Sequence, residues 1–165
     1  MRSIPKSISA AGLAACLTMP GLAFAATATG SLTVTATVTT ACSIVALPLA
    51  FGNYDPTSST DLNGSTTATL TCTPGTAYKI GMDAGAGSGA TVTVRKMTSG
   101  SNTLNYKLYR DSARTLNWGN TPGTDTLDGT ATLLTTLINI YGTIPNSQAA
   151  SAGAYTDTVT VTVTY

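Results

Sequence analysis

The chain has 165 residues, with 8 Lys or Arg, 7 Asp and neither His nor Glu. Without imidazole it excludes histidine-dependent serine or cysteine triads and histidine-built zinc sites. Its scattered bases exclude the concentrated positive surface that nucleic acid requires. Threonine, at 34 residues, is the dominant type, and branching at Cβ favours extended backbone, so the composition predicts an all-β protein.

The chain opens on the basic stretch Met1-Arg2-Ser3-Ile4-Pro5-Lys6, continues through an apolar run from Ile8 to Phe24, and reaches Ala23-Phe24-Ala25. This is the pattern of a secretory signal peptide over residues 1–25, with Ala26 as the expected mature start. Gly12, Pro20 and Gly21 interrupt the run and no stop-transfer flank follows, so no stable membrane span is expected. Leu13-Ala14-Ala15-Cys16 also permits a lipoprotein reading, which would leave Cys16 lipidated.

Residues 26–40 form the clearest pattern. Ala28, Gly30, Leu32, Val34, Ala36 and Val38 alternate with Thr29, Ser31, Thr33, Thr35, Thr37 and Thr39. A two-residue period sends these sets to opposite faces of a strand, one apolar and one hydroxylated. An isolated strand is unstable in water, so this segment completes either its own sheet or another molecule's. Periodicity leaves both open.

Residues 41–165 read as one β-sandwich domain of about seven strands. Ile44–Phe51 is a short strand interrupted by Pro48, and residues 52–65 form a loop that ends on the turn signal Asn63-Gly64. Strands are then expected at Thr66–Cys72, around Tyr78–Ala84, at Thr91–Val94, Leu104–Arg110 and Ala131–Tyr141, and at Tyr155–Tyr165. In the last, Val159, Val161, Val163 and Tyr165 share a face opposite Thr158, Thr160, Thr162 and Thr164. Cys42 and Cys72 survive signal cleavage as an even pair in an exported chain, which reads as one disulfide.

Candidate chemistry is sparse. Gly85-Ala86-Gly87-Ser88-Gly89 is Gly-rich, but a phosphate cradle needs a helix after it; Thr91–Val94 follows instead, so a turn is expected. Asp125 and Asp128 sit in a polar loop, as solvated carboxylates do. Trp118 with Tyr106 and Tyr109 suggests a carbohydrate platform or, alternatively, packing with Tyr106 inward and Tyr109 outward. Asn63-Gly64-Ser65 fits an N-glycosylation acceptor. Arg110 and Asp111, being adjacent, point opposite ways on a strand and fit a turn better than a buried ion pair. No catalytic residue, metal ligand or cofactor site emerges.

Three stretches together resemble the Spore Coat Protein U domain family, which includes the major subunits of archaic, Csu-type chaperone–usher pili. They are Tyr106-Lys107-Leu108-Tyr109-Arg110-Asp111-Ser112-Ala113-Arg114-Thr115, Tyr141-Gly142-Thr143-Ile144-Pro145 and Gly153–Val161. Cys42, just after the N-terminal strand, and Cys72 in Leu70-Thr71-Cys72 also match the family arrangement. The resemblance implies an incomplete immunoglobulin-like sandwich that lacks its final strand. A periplasmic chaperone would supply that strand first; at the outer-membrane usher the next subunit's N-terminal extension would replace it.

Carried onto this chain, the donor is roughly Thr27–Thr39, with Leu32, Val34, Ala36 and Val38 filling the groove and Ala28 and Gly30 nearer the start. Val159, Val161, Val163 and Tyr165 would border the acceptor. The implied partners are identical or related subunits, the chaperone and the usher, and the implied location is a pilus at the cell surface, serving attachment and biofilm formation. The alternative is a self-complete secreted coat or ligand-binding module.

Overall fold

The computed structural model describes residues 25–165. The expected signal peptide lies outside the described residues apart from Ala25, and so does the Cys16 lipidation site. The chain divides into two units, Met1–Ala36 and Thr37–Tyr165. In the first, residues 25–36 form neither helix nor strand, and Leu32 and Val34 expose 86% and 82% of their surface.

The second unit is all-β, with eight strands in two antiparallel sheets. They are β1 (Cys42–Ala46), β2 (Leu62–Cys72), β3 (Ala77–Met82), β4 (Arg95–Ser99), β5 (Asn102–Tyr109), β6 (Leu127–Thr130), β7 (Thr135–Ile144) and β8 (Val161–Thr164). One sheet has the order β1-β2-β7-β5-β4 and the other β6-β3-β8. The inner faces follow the two-residue period. Ala68, Leu70 and Cys72 of β2, Leu104, Tyr106 and Leu108 of β5, and Ile138, Ile140 and Ile144 of β7 meet Ile80 and Met82 of β3 in one core.

Two further buried side chains lock the sheets together. Trp118 is completely buried; its backbone N–H donates to Leu108 O (3.0 Å) and its Nε1–H to Ile80 O (2.9 Å), tying β5 to β3. Arg95, also completely buried, faces no carboxylate at hydrogen-bond distance among the described residues. Its guanidinium donates to the carbonyls of Met82, Asp83, Val92 and Trp118 at 2.7–3.0 Å. A buried cation is tolerated when its donors are met, and here they gather the end of β3, the start of β4 and the Trp118 segment. Trp118 and Tyr106 are therefore core residues and form no exposed carbohydrate platform, whereas Tyr109 is half-buried on the outer face.

Several expected boundaries move. Asn63-Gly64 is no turn: both lie inside β2, which begins at Leu62, and Gly64 pairs with Gly142 of β7. A Cβ on Gly142 would come within 2.7 Å of Leu49 and Phe51, and one on Gly64 within 3.1 Å of Phe51. The two glycines thus make a notch in which the segment after β1 lies, and packing overrides the local turn preference. Asn63 is a strand residue whose Oδ1 accepts the Thr143 hydroxyl at 2.6 Å.

Thr91–Val94 is a tight turn, and the strand begins at Arg95. Thr91 N–H donates to Val94 O (2.9 Å), while Val94 N–H reaches both Thr91 O and Thr91 Oγ1. Local hydroxyl bonds of this kind compete with sheet pairing. The first strand stops at Ala46, before Pro48, which cannot donate to a ladder. The strand expected at Ala131–Tyr141 shifts to Thr135–Ile144. Of the C-terminal stretch, only Val161–Thr164 joins a ladder with β3, while Thr156 bridges separately to Thr98 of β4. Arg110 and Asp111 do not pair: Asp111 caps the turn by accepting from the Thr115 and Leu116 N–H groups, and Arg110 donates to the carbonyl of Thr126.

The Cys42–Cys72 disulfide joins residues directly opposite each other on β1 and β2. It fastens a short edge strand that has a ladder partner on one side only. Closing a loop with a sequence separation of 30 is worth about 3–4 kcal/mol on the chain-entropy account. The variant Cys42→Ser/Cys72→Ser is expected to lose about that much stability, read as a lower urea midpoint, with a larger m-value because the unlinked denatured chain exposes more surface.

Candidate functional site, an open groove between two sheet edges

β1 is the edge of the larger sheet and β8 the edge of the smaller. Past Ala46 the chain continues beside β2, with Leu47 N–H donating to Thr67 O at 2.9 Å, and carries Leu47, Leu49 and Phe51. Opposite runs the stretch from Tyr155 into β8. Between them lies a cavity of about 430 Å³ walled by Leu47 and Leu49 on one side and Val159 and Val161 on the other, with Tyr106 and Ile140 among the core residues it reaches. Leu49, Phe51, Met97 and Tyr155 also line a second cavity of about 780 Å³, which extends toward Tyr54 and Ala150. The two cavities adjoin at these four shared residues.

The residues expected at its border are arranged as follows. Val159, Val161 and Val163 are half-buried and pack against the core, with the intervening threonines exposed. Val159 and Val161 line the groove. Tyr165 is exposed and stands outside both cavities. Ala28, Gly30, Leu32, Val34, Ala36 and Val38 are exposed and belong to no strand. The sequence reading missed the opposite wall, although the alternation of Leu47, Leu49 and Phe51 on either side of Pro48 carried the signal. Leu49 and Phe51 are half-buried there, while Leu47 stands at the exposed rim.

One polar cluster interrupts the apolar wall. Asp157 accepts the Tyr106 hydroxyl at 2.7 Å and the Ala86 N–H at 2.8 Å. Burial, followed by this bond to Asp157, holds the Tyr106 phenol far above its ordinary pKa. The Gly-rich turn serves this contact: Gly85 has φ +80°, and a Cβ there would collide with the Asp157 carboxylate. Asp83 ties β3 to the other wall, its Oδ1 accepting from the Gly85 and Thr160 N–H groups at 2.9 Å each. Among the described residues no cluster of three or more Cys or Asp is placed to hold a metal ion, and no helix is long and apolar enough to cross a membrane.

These features define an immunoglobulin-like β-sandwich with an apolar groove left open between two strand edges. The chain belongs to the Spore Coat Protein U domain family, which it matches over residues 28–162. It is 38% identical to Protein U of Myxococcus xanthus over 180 aligned positions, covering 100% of both chains. In fold it is similar to a chain of the CsuC–CsuE chaperone–tip adhesion subunit pre-assembly complex from archaic chaperone-usher Csu pili of Acinetobacter baumannii. The TM-score is 0.57 at 24% identity, and the match covers 78% of this chain and 40% of that one.

The Asp83 contacts make a pH prediction. Burial raises its pKa, but the bonds from Thr160 and Gly85 outweigh burial and hold it below the ordinary 3.8. A depressed carboxyl contributes stability that is complete above the unfolded-state pKa and is lost as pH falls through the folded one. The Asp83→Asn variant should therefore lose less stability than the wild type on acidification from about pH 5 to below 3.8, measured by urea midpoints at each pH.

Proposed function

We propose that this chain is a structural subunit of a chaperone–usher pilus, and that residues 26–40 are a donor strand that fills the groove of another copy. The observation that carries the reading is the pairing of two complementary deficits. The groove has apolar walls and unpaired strand edges; the extension has an alternating apolar face and no strand partner. One added strand satisfies both, supplying backbone hydrogen bonds and apolar contacts together.

In this reading Leu32, Val34, Ala36 and Val38 enter the groove, with Ala28 and Gly30 nearer its end, against a border that includes Val159, Val161 and Val163. Because one surface donates and a different one accepts, the contact is heterologous and builds filaments. A periplasmic chaperone would occupy the groove before assembly and an outer-membrane usher would host the exchange, after export directed by residues 1–25. Family membership and the fold shared with a chain of a chaperone–tip adhesion subunit complex support this assignment. The product would stand at the cell surface and serve attachment and biofilm formation, without catalysis.

The test compares periplasmic Ala26–Tyr165 with a form deleted through Thr39. The full form should give head-to-tail polymers. The deleted form should remain monomeric and bind a peptide of residues 27–39, gaining about 2.7 kcal/mol of stability at a peptide concentration about one hundred times Kd. A stable full-length monomer that protects residues 27–39 and refuses the peptide would overturn the proposal in favour of a self-complete module.

A further inference from the structure

Large aliphatic side chains are exposed to solvent on β1, on β7 and in the bend that leads into β7. Leu133, Leu134 and Leu137 are 67%, 61% and 67% exposed, and Val45 is 66% exposed. They are close together in the fold: Val45 lies opposite Thr69, Thr69 opposite Leu137, and the Leu134 carbonyl accepts the Cys72 N–H at 2.9 Å. No charged residue occurs in 41–46, 69–73 or 131–139. Thr69 stands between Val45 and Leu137, and exposed aliphatic side chains gathered in this way mark an interaction site.

Where the N-terminal segment leaves the domain identifies the partner. Thr39 O accepts the Thr73 hydroxyl at 3.1 Å, Ala41 N–H donates to Thr73 Oγ1 at 3.2 Å, and Thr73 N–H donates to Ala41 O at 2.9 Å. The chain is thus fastened at Thr39, immediately after Val38, the last apolar residue of the extension. Consecutive Cα atoms are only about 3.8 Å apart. A copy whose groove holds Val38 must bring its groove rim against the surface around Thr73, and Thr73 adjoins Cys72, the partner of Leu134.

We infer, resting on the strand-exchange reading, that Val45, Leu133, Leu134 and Leu137 form a shoulder that seats the groove rim of the second copy. Contact there would limit the angle between successive subunits, which so short a connection alone would leave free to swing.

The experiment places the photo-crosslinker p-benzoylphenylalanine at Leu134 in the full exported chain and follows hydrogen exchange over residues 27–39 in the same samples. Polymers with 27–39 protected should give dimers crosslinked from position 134 to the groove-rim segments 46–56 or 150–165, and the donor-deleted monomer should give none. Polymers with 27–39 protected but with no such crosslink, or with crosslinks elsewhere, would overturn the shoulder and leave strand exchange standing. Failure to polymerise, or polymers with 27–39 unprotected, would remove strand exchange and this inference with it.

Discussion

Backbone hydrogen bonding and apolar burial are left incomplete at the same place, the groove between the segment that follows β1 and the stretch that leads into β8, and much of the structure around it prepares that place. A sheet edge exposes unpaired N–H and C=O groups, and proteins ordinarily cover or blunt it. Here both edges border an apolar cavity. The remainder of the sandwich must therefore hold its shape without the cross-sheet packing that a filled groove would supply.

Three devices provide that rigidity. The disulfide fastens β1 to β2 at the edge. Arg95 gathers carbonyls from three segments behind the groove, and Trp118 joins β5 to β3. The Gly64–Gly142 notch receives Leu49 and Phe51, so that the wall after β1 lies close to the sheet. Phe51 also meets the Tyr106 ring edge-on, at 6.2 Å between centroids, a geometry that favours aromatic pairs. Together these contacts order the walls of the cavity from both sheets.

Much of the fold was legible in the chain because strand periodicity is a local property. Leu104, Tyr106 and Leu108 alternate inward as read, and so do Ala68, Leu70 and Cys72. The errors occurred where distant residues decide local conformation. Asn63-Gly64 has the chemistry of a turn, yet its glycine is needed opposite Gly142, far along the chain. Thr91–Val94 has the composition of a strand, yet its own hydroxyl bonds and the demand of Arg95 for the Val92 carbonyl close it into a turn.

Residue type and a two-residue period made the all-β class, the alternation of residues 28–38 and the apolar face of residues 159–163 legible in the chain, and an even cysteine count did the same for the disulfide. Packing alone brings Leu49 and Phe51 opposite Val159 and Val161 across the groove, buries Trp118 and Arg95, and sets the exposed leucines of 133–137 beside the Thr39–Thr73 anchor. Those relations join residues far apart in the chain, and no local pattern encodes a distance between elements that meet only when the sheets pack.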